Sequence, residues 1–296
     1  MKNNYNLHTL CLDMLDKFIT VCEKYELAWF ADSGTLLGAI RKGKIIDWDD
    51  DIDVIMPRAD YNRLLAIGQK EFTSPYFFQT PMTDYVFSVH AKIRYDGTTF
   101  LTEQEYLGSH HKGVFIDIFP LDAVPDDKQV VEDMTGFLRL IGRRSNVRFA
   151  GQSDYYNKTD INFSETFKVM NDIITDITNQ NQDSLYVGNV MFYRYSDFIG
   201  VKFSRKAYER YSLVDFEGLQ HKLRVPVGYE EILTAWYGDD WQIEKQVNSF
   251  HSTSFYDLDN DYSVYEGINE EEFKKLCTFW TNYDIIYIWM EEKLCK

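Results

Sequence analysis

The sequence predicts a protein of mixed helices and short strands, and three observations predict it. Leu7, Leu10, Cys11, Met14, Leu15, Phe18, Ile19 and Cys22 recur at three and four residues, the period of an amphipathic helix over about 7–25. The stretch Asp47-Trp48-Asp49-Asp50-Asp51-Ile52-Asp53-Val54-Ile55-Met56-Pro57 opens with five aspartates in seven residues and then turns apolar at once. That is the pattern of a strand entering the core with carboxylates on its leading end. Gly113 to Pro120 reads as another apolar strand, with the single carboxylate Asp117 at its centre.

The other elements follow in order. Leu27 to Ala31 reads as a short buried strand. Asp32-Ser33-Gly34-Thr35 breaks it, and Leu36 to Arg41 resumes as a helix. A strand, a small-residue turn and a helix start together form an anion site, because free backbone N–H groups point outward there. Pro57 ends the acidic strand and Arg58 to Lys70 reads as a surface helix. Segments near 76–79, 85–95 and 98–101 alternate like the strands of a meander. Residues 121–127 are turn-rich and mark a boundary. Helices are expected over 128–149 and 162–180, joined by the polar linker 152–160. Strand-like pieces lie around 190–203 and 211–225. Tyr229 to Tyr237 is a short helix stopped by Gly238. Asn269 with Glu272 forms a capping box for a last helix whose apolar face includes Phe273, Leu276, Cys277 and Trp280.

Composition narrows the function. At 296 residues the chain has room for one large domain or two small ones. A net charge of −16 argues against non-specific binding to nucleic acid or anionic membranes, both of which need a basic surface. No apolar run reaches 18 residues, so no membrane span is expected. The polar start at Met1 to Asn6 is unlike a secretory signal. Cys11, Cys22, Cys277 and Cys295 lack metal-ligand spacing and read as buried thiols of a reducing, cytoplasmic compartment.

The chemistry centres on the acidic stretch. On a strand, residues two apart face one side, so Asp49, Asp51 and Asp53 are expected to project together. Like charges held together call for a cation between them. An EF-hand calcium loop does not fit: counted from Asp49, Val54 stands where that loop needs Gly and Asp60 where it needs Glu. The Ser33-Gly34-Thr35 turn, the Asp51-Ile52-Asp53 pair and Asp117 converge on phosphoryl transfer. That reaction needs donors for phosphate oxygens, hard ligands for Mg²⁺ and a group to take the acceptor proton. Lys92 and Arg94, two apart on one strand, form a phosphate clamp or simple surface charge. Asp117 alone also fits a structural carboxylate. His110 and His111 read as exposed loop residues.

Four stretches together resemble the LicD family, whose distant animal relatives are the fukutin-related proteins. They are Gly34-Thr-Leu-Leu-Gly-Ala-Ile-Arg41, Asp47-Trp-Asp-Asp-Asp-Ile-Asp53, Lys92-Ile-Arg94 and Gly113-Val-Phe-Ile-Asp-Ile-Phe-Pro-Leu-Asp122. The resemblance covers about 7–125, and more thinly 205–240 through Val225-Pro-Val-Gly-Tyr-Glu-Glu and Trp236-Tyr-Gly238. It implies an α+β, nucleotidyltransferase-like fold: a mixed sheet flanked by helices, with a mainly helical C-terminal part. It implies a catalytic core over 1–125 and an acceptor side over 126–296. It also implies a CDP-linked donor (CDP-choline, CDP-ribitol or CDP-glycerol), Mg²⁺ with Mn²⁺ as a substitute, and a cell-surface glycan or lipid-linked glycan as acceptor. The glycan would belong to lipopolysaccharide or teichoic acid, and CMP would leave. The expected place is the cytoplasm or the inner face of the membrane. Carried over, Asp51 and Asp53 hold metal with Asp49 as a further ligand, and Asp117 is the base for the acceptor hydroxyl. Ser33, Gly34 and Thr35 border the donor phosphates, while Arg41, Lys92 and Arg94 neutralise them. Asp47 departs from the Pro often found there, and Asp47 and Asp50 are expected at the loop surface.

A choline group would need aromatic faces, for which Trp48, Tyr106, Trp236, Tyr237 and Trp241 are candidates with core packing as the alternative. Two other functions stay open at this point. One is a nucleotidyltransferase releasing pyrophosphate from an NTP; the other is a non-catalytic metal- or nucleotide-binding module.

Overall fold

The computed structural model describes residues 5–86, 88–103, 105–133, 162–189, 202–244 and 254–280. It is an α+β structure built on a mixed sheet. Helix α1 (Tyr5–Lys24) leads in, and Leu7, Cys11, Met14, Leu15, Phe18, Ile19 and Cys22 are all buried along its inner stripe. Burying each large apolar side chain contributes roughly 1.5–3 kcal/mol, so this stripe fixes the helix on the sheet. Strand β1 (Phe30–Ala31) is only two residues long, shorter than the expected 27–31.

Helix α2 (Ser33–Lys42) follows with Asp32 at its N-cap position. The small-residue segment read as a separate turn is therefore the first turn of the helix. Gly43 closes the helix in the left-handed conformation, φ 66°, which costs glycine nothing. The acidic strand is shorter than its sequence suggests: β2 is Asp53–Pro57, and Asp47 to Ile52 approach it as irregular chain. Strand alternation therefore cannot be what gathers Asp49 and Asp51 with Asp53. Helix α3 (Arg58–Glu71) comes next, then β3 (Tyr76–Gln79), β4 (Ala91–Tyr95), β5 (Thr99–Thr102) and β6 (Phe115–Val124).

The main sheet runs β1-β2-β6-β4-β3, with β2 parallel to β6 and the other neighbours antiparallel. Strands β3 and β4 pair as a meander would. Strand β5 does not continue it, because it pairs instead with β11 (Ser254–Asp257). Strand β6 is buried along its whole length, so the boundary expected at 121–127 begins as strand. Its last residues, Asp122 to Val124, pair with β7 (Tyr186–Gly188), which pairs with β8 (Phe203–Ser204). The Asp122 carboxylate is buried and takes both Nε and Nη2 of Arg58, at 2.6 and 2.8 Å.

Helix α4 (Phe163–Gln180) is capped by the Asn162 side chain, which accepts the Glu165 N–H. Residues 128–133 are helical, and the remainder of the helix expected to 149 lies outside the described residues, as does most of 190–203. Strands β9 (Tyr211–Val214) and β10 (Leu223–Pro226) form a hairpin within the expected 211–225 region. Helix α5 (Tyr229–Tyr237) ends at Gly238 as its sequence says. Helix α6 (Glu270–Trp280) carries the capping box: Glu272 N–H donates to Asn269 Oδ1 and Asn269 N–H to Glu272 Oε2. Cys11 and Cys22 are free thiols and, like Cys277, buried; Cys295 lies outside the described residues. The main core joins Val54, Ile116 and Ile118 of the central strands to Phe203, Leu223, Ile232 and Trp241 from the second half of the chain. No helix among the described residues is long and apolar enough to cross a membrane.

Candidate active site

Strand register assembles the site. Asp53 on β2 stands opposite Asp117 on β6, and Asp117 stands opposite Lys92 on β4, which in turn faces Gln79 on β3. Residues directly opposite one another share a face of the sheet, so these side chains form one row across four strands. Asp32, just past β1, extends the row: its N–H donates to the Asp53 carbonyl at 3.1 Å. The Asp53 N–H donates to Thr35 Oγ1 at 2.9 Å, which ties the first turn of α2 to the head of β2. Between these two clamps Ser33 has φ +47°. A non-glycine residue there costs roughly 1–2 kcal/mol and persists only where its surroundings fix it.

The carboxylates gather at the Asp53 end of the row. One oxygen each from Asp51, Asp53 and Asp117 lie within 4.8 Å of one another, and Asp49, Asp50 and Asp51 form a second such group. Burial, followed by the charges of Asp51, Asp117, Asp49 and Asp32, pushes the Asp53 carboxyl well above the usual range. A site that penalises its own anions this heavily, with hard oxygen donors alone, suits a small divalent cation such as Mg²⁺. The donor set therefore fits the metal that the sequence implies. Asp51, Asp53 and Asp117 are the residues placed to hold it, so Asp117 joins the expected ligands. Asp49 falls in the second group, and its carboxylate lies against Gly34. A Cβ on Gly34 would meet Asp49 Oδ2 at 2.4 Å, so a larger residue there would displace this carboxylate from its present place.

Asp117 is the opposite of Asp53. Lys92 Nζ donates to its Oδ1 at 2.7 Å, and His90 Nε2 stands 2.9 Å from the same oxygen. Burial alone would raise its pKa, but Lys92 and His90 outweigh burial and hold the carboxyl well below the carboxylate range. Such a group is a dependable anion and a weak base. Lys92 also rests 3.6 Å from the centroid of the Phe115 ring.

The remaining cations have other partners. Arg94 is fully buried and donates to Gln79 Oε1, the Gly113 carbonyl and Glu105 Oε1. Against burial, Arg94, Lys92 and His110 draw the Glu105 pKa down to about 2. Arg94 thus braces the sheet rather than clamping a phosphate beside Lys92. Arg41 donates to the backbone carbonyls of Trp241 and Ile243. Both guanidinium groups belong to the frame of the site, not to the row.

Several residues differ from their sequence reading. Asp50 is buried, with Ser254 Oγ 3.4 Å from its Oδ2, whereas Asp47 is exposed and pairs with Lys44. His110 is buried with both ring nitrogens unpartnered, and burial lowers its pKa to about 4. His111 bonds Asp96 and stacks on Phe77. Of the aromatic candidates, Tyr106 stacks on Phe273 in a satellite core and Trp241 is in the main core. Trp236 and Tyr237 are each more than a third exposed. Burial of the Tyr237 hydroxyl, then Asp53, Asp32, Asp49 and Asp51, push its pKa up, which sets it beside the acidic group.

Two members of the site, Asp32 and His90, were not singled out from sequence, nor was Tyr208, whose ring meets Phe30 of β1 at 5.3 Å. Asp32 is buried and its pKa is raised to about 6 by that burial, against hydrogen bonds from Ser33. Its position directly before Ser33-Gly34-Thr35 was the available signal. Nothing in the local pattern marks His90 or Tyr208.

Comparison with known proteins agrees with this geometry. The family described as LicD/FKTN/FKRP, nucleotidyltransferase domain, matches residues 26–149, which span β1 through β6 and so the whole row. A protein named Lipopolysaccharide cholinephosphotransferase LicD, from Haemophilus influenzae, is 30% identical over 245 residues, covering 78% of this chain and 88% of its own length. A similarity of that extent, over a site of gathered carboxylates with one paired lysine, places the chain in the LicD family, as a phosphotransferase.

Proposed function

We propose that the chain transfers phosphocholine, or a closely related phospho-alcohol, from a CDP-linked donor to a lipopolysaccharide or similar cell-surface glycan, releasing CMP. The observation that carries this is the row itself: carboxylates for a cation at Asp51, Asp53 and Asp117, with Lys92 directly beside them. The relative's printed activity and acceptor point the same way. In the reaction, an acceptor oxygen forms a bond to the distal phosphorus and the bond from that phosphorus to the CMP oxygen breaks. The acceptor proton passes to solvent or to a nearby base. Bound Mg²⁺ would supply charge neutralisation at the phosphate oxygens. Asp117 stays anionic because Lys92 and His90 hold it so. Lys92, held beside Asp117, would offer its ammonium to a phosphate oxygen of the donor. A loose transition state asks mainly for positioning and charge, which this row supplies, and little for a strong base. The reading places the work in the cytoplasm or at the inner face of the membrane.

The test is to incubate the protein with CDP-choline, CDP-glycerol and CDP-ribitol in Mg²⁺, with and without lipopolysaccharide, and to measure CMP. Glycan-dependent CMP release supports the proposal. Release of pyrophosphate from an NTP, with none of CMP from any CDP-alcohol, overturns it in favour of nucleotidyl transfer.

A further inference from the structure

Across the row from Lys92, the Asp32 end has unmet polar groups. Asp32 is 4% exposed, its Oδ2 accepts from Ser33 Oγ at 3.2 Å, and its Oδ1 has no hydrogen-bond partner among the described residues. Tyr208 is 8% exposed, and its buried hydroxyl likewise has no partner among them. The two are neighbours, since Asp32 is the first charge acting on the Tyr208 phenol. The surroundings are aromatic. Phe30, two residues before Asp32 and so on the same side of the strand, meets the Tyr208 ring edge-on at 5.3 Å. Phe203 packs on Tyr208 at 5.9 Å and on Trp236 at 6.2 Å. Tyr237, next to Trp236 at the end of α5, borders the same carboxylates.

A buried carboxylate with an unsatisfied oxygen is costly, and in native proteins it points to a missing partner. An aromatic surround narrows the partner's chemistry to a cation that ring faces attract. A quaternary ammonium fits, because it brings charge but no N–H donor that would demand further acceptors. A neutral polyol would leave the Asp32 charge uncompensated. Position agrees as well. Asp32 lies one strand from Asp53, a spacing of about 4.8 Å, and a two-carbon bridge from phosphate to ammonium covers about that span.

We propose that Asp32 and Tyr208, with Tyr237 and Trp236 at the mouth, form the subsite that takes a quaternary ammonium head of the transferred alcohol. This rests on the phospho-alcohol transfer reading above and assigns its specificity to named residues. Lys92 and Asp32 then divide the donor between them: the ammonium of Lys92 meets the nucleotide phosphate and the carboxylate of Asp32 meets the cationic head.

The experiment compares CDP-choline with its neutral carbon isostere, CDP-3,3-dimethylbutanol, on the full chain. Equilibrium binding is read by calorimetry, and CMP release is followed in parallel. Wild type is expected to bind the cationic donor at least ~10-fold more tightly. Asp32→Asn is expected to bring that ratio to near one while leaving affinity for the neutral isostere unchanged, which a general packing defect would not do. Tyr208→Phe, a smaller change, is expected to keep most of the preference. A wild-type ratio near one, or no binding of either donor, overturns the subsite even if Asp32→Asn does not fold. A preference that survives in Asp32→Asn overturns the role of Asp32. Absence of CMP release from both donors, with lipopolysaccharide present, would instead defeat the transfer reading, and the binding ratio would still decide the subsite.

Discussion

The two ends of the active-site row are built from the same residue type and behave in opposite ways. At one end Asp117 is held by Lys92 and His90, and its carboxyl is driven down. At the other, Asp53 and Asp32 form no ion pair among the described residues, and burial drives their carboxyls up. Asp32 is as buried as Asp117, and what separates the two ends is their neighbours: Lys92 and His90 beside Asp117, further carboxylates beside Asp53. The paired end carries its own cations, whereas the other end has a deficit of positive charge that an ion and a substrate can make up. That asymmetry is a physical reason for a phosphate-bearing cationic molecule to lie one way round.

Substitutions can break or sharpen this contrast. The largest effect is expected at the unpaired end: Asp53→Asn should lower the rate of transfer by ~10³ or more. Chelation with EDTA should do the same to wild type, with recovery on adding Mg²⁺. Full activity in Asp53→Asn would remove Asp53 from the metal site. Next is Lys92→Met, which strips the paired end. A loss of ~10²-fold in kcat is expected, with Lys92→Arg retaining part of it. A variant that changed only KM would show that Lys92 acts in ground-state binding alone.

Glu105→Gln tests the frame. The folded-state pKa of Glu105, about 2, lies below its ordinary 4.5. Its contribution is therefore present above pH 4.5 and lost as pH falls towards 2. The variant should be less stable near neutrality, by up to about 3 kcal/mol, and the gap should close across that acid window. Urea unfolding at several pH values would show it. Smallest is Arg41→Ala, which leaves the carbonyls of Trp241 and Ile243 without their donor. A stability loss of about 1–3 kcal/mol with little change in donor KM is expected. A tenfold rise in KM without loss of stability would return Arg41 to the phosphate.

How much of this was legible in the sequence depended on the kind of signal. Asp51, Asp53 and Asp117 could be read because carboxylates within apolar runs are rare and need a reason. The helices at 5–24, 163–180 and 229–237 could be read because period, caps and stops agreed. Asp32 and Tyr208 could not, since a lone Asp before a small-residue turn looks like any helix cap. The partners of Arg41 and Arg94 were not legible for a complementary reason. A cation near a phosphate motif suggests phosphate, but the groups that take these guanidiniums, the Trp241 and Gly113 carbonyls and Glu105, are named only by the fold. The roles within the acidic run also depended on register. Alternation along a longer strand was the expected cause, whereas pairing across β2 and β6 is the observed one for Asp53 and Asp117.

That parallel pairing has a consequence in time. Asp53 and Asp117 are roughly sixty residues apart, and parallel strands meet only through a crossover, whose closure must be paid in chain entropy before any contact rewards it. A nascent chain that has emerged as far as Pro57 carries the whole acidic run and no reaction centre. A slip of one residue between the two strands would turn one carboxylate to the opposite face. On the proposed reading, competence to bind an ion would report on whether the central pair has closed in register, which would make the cation a probe of correct assembly as well.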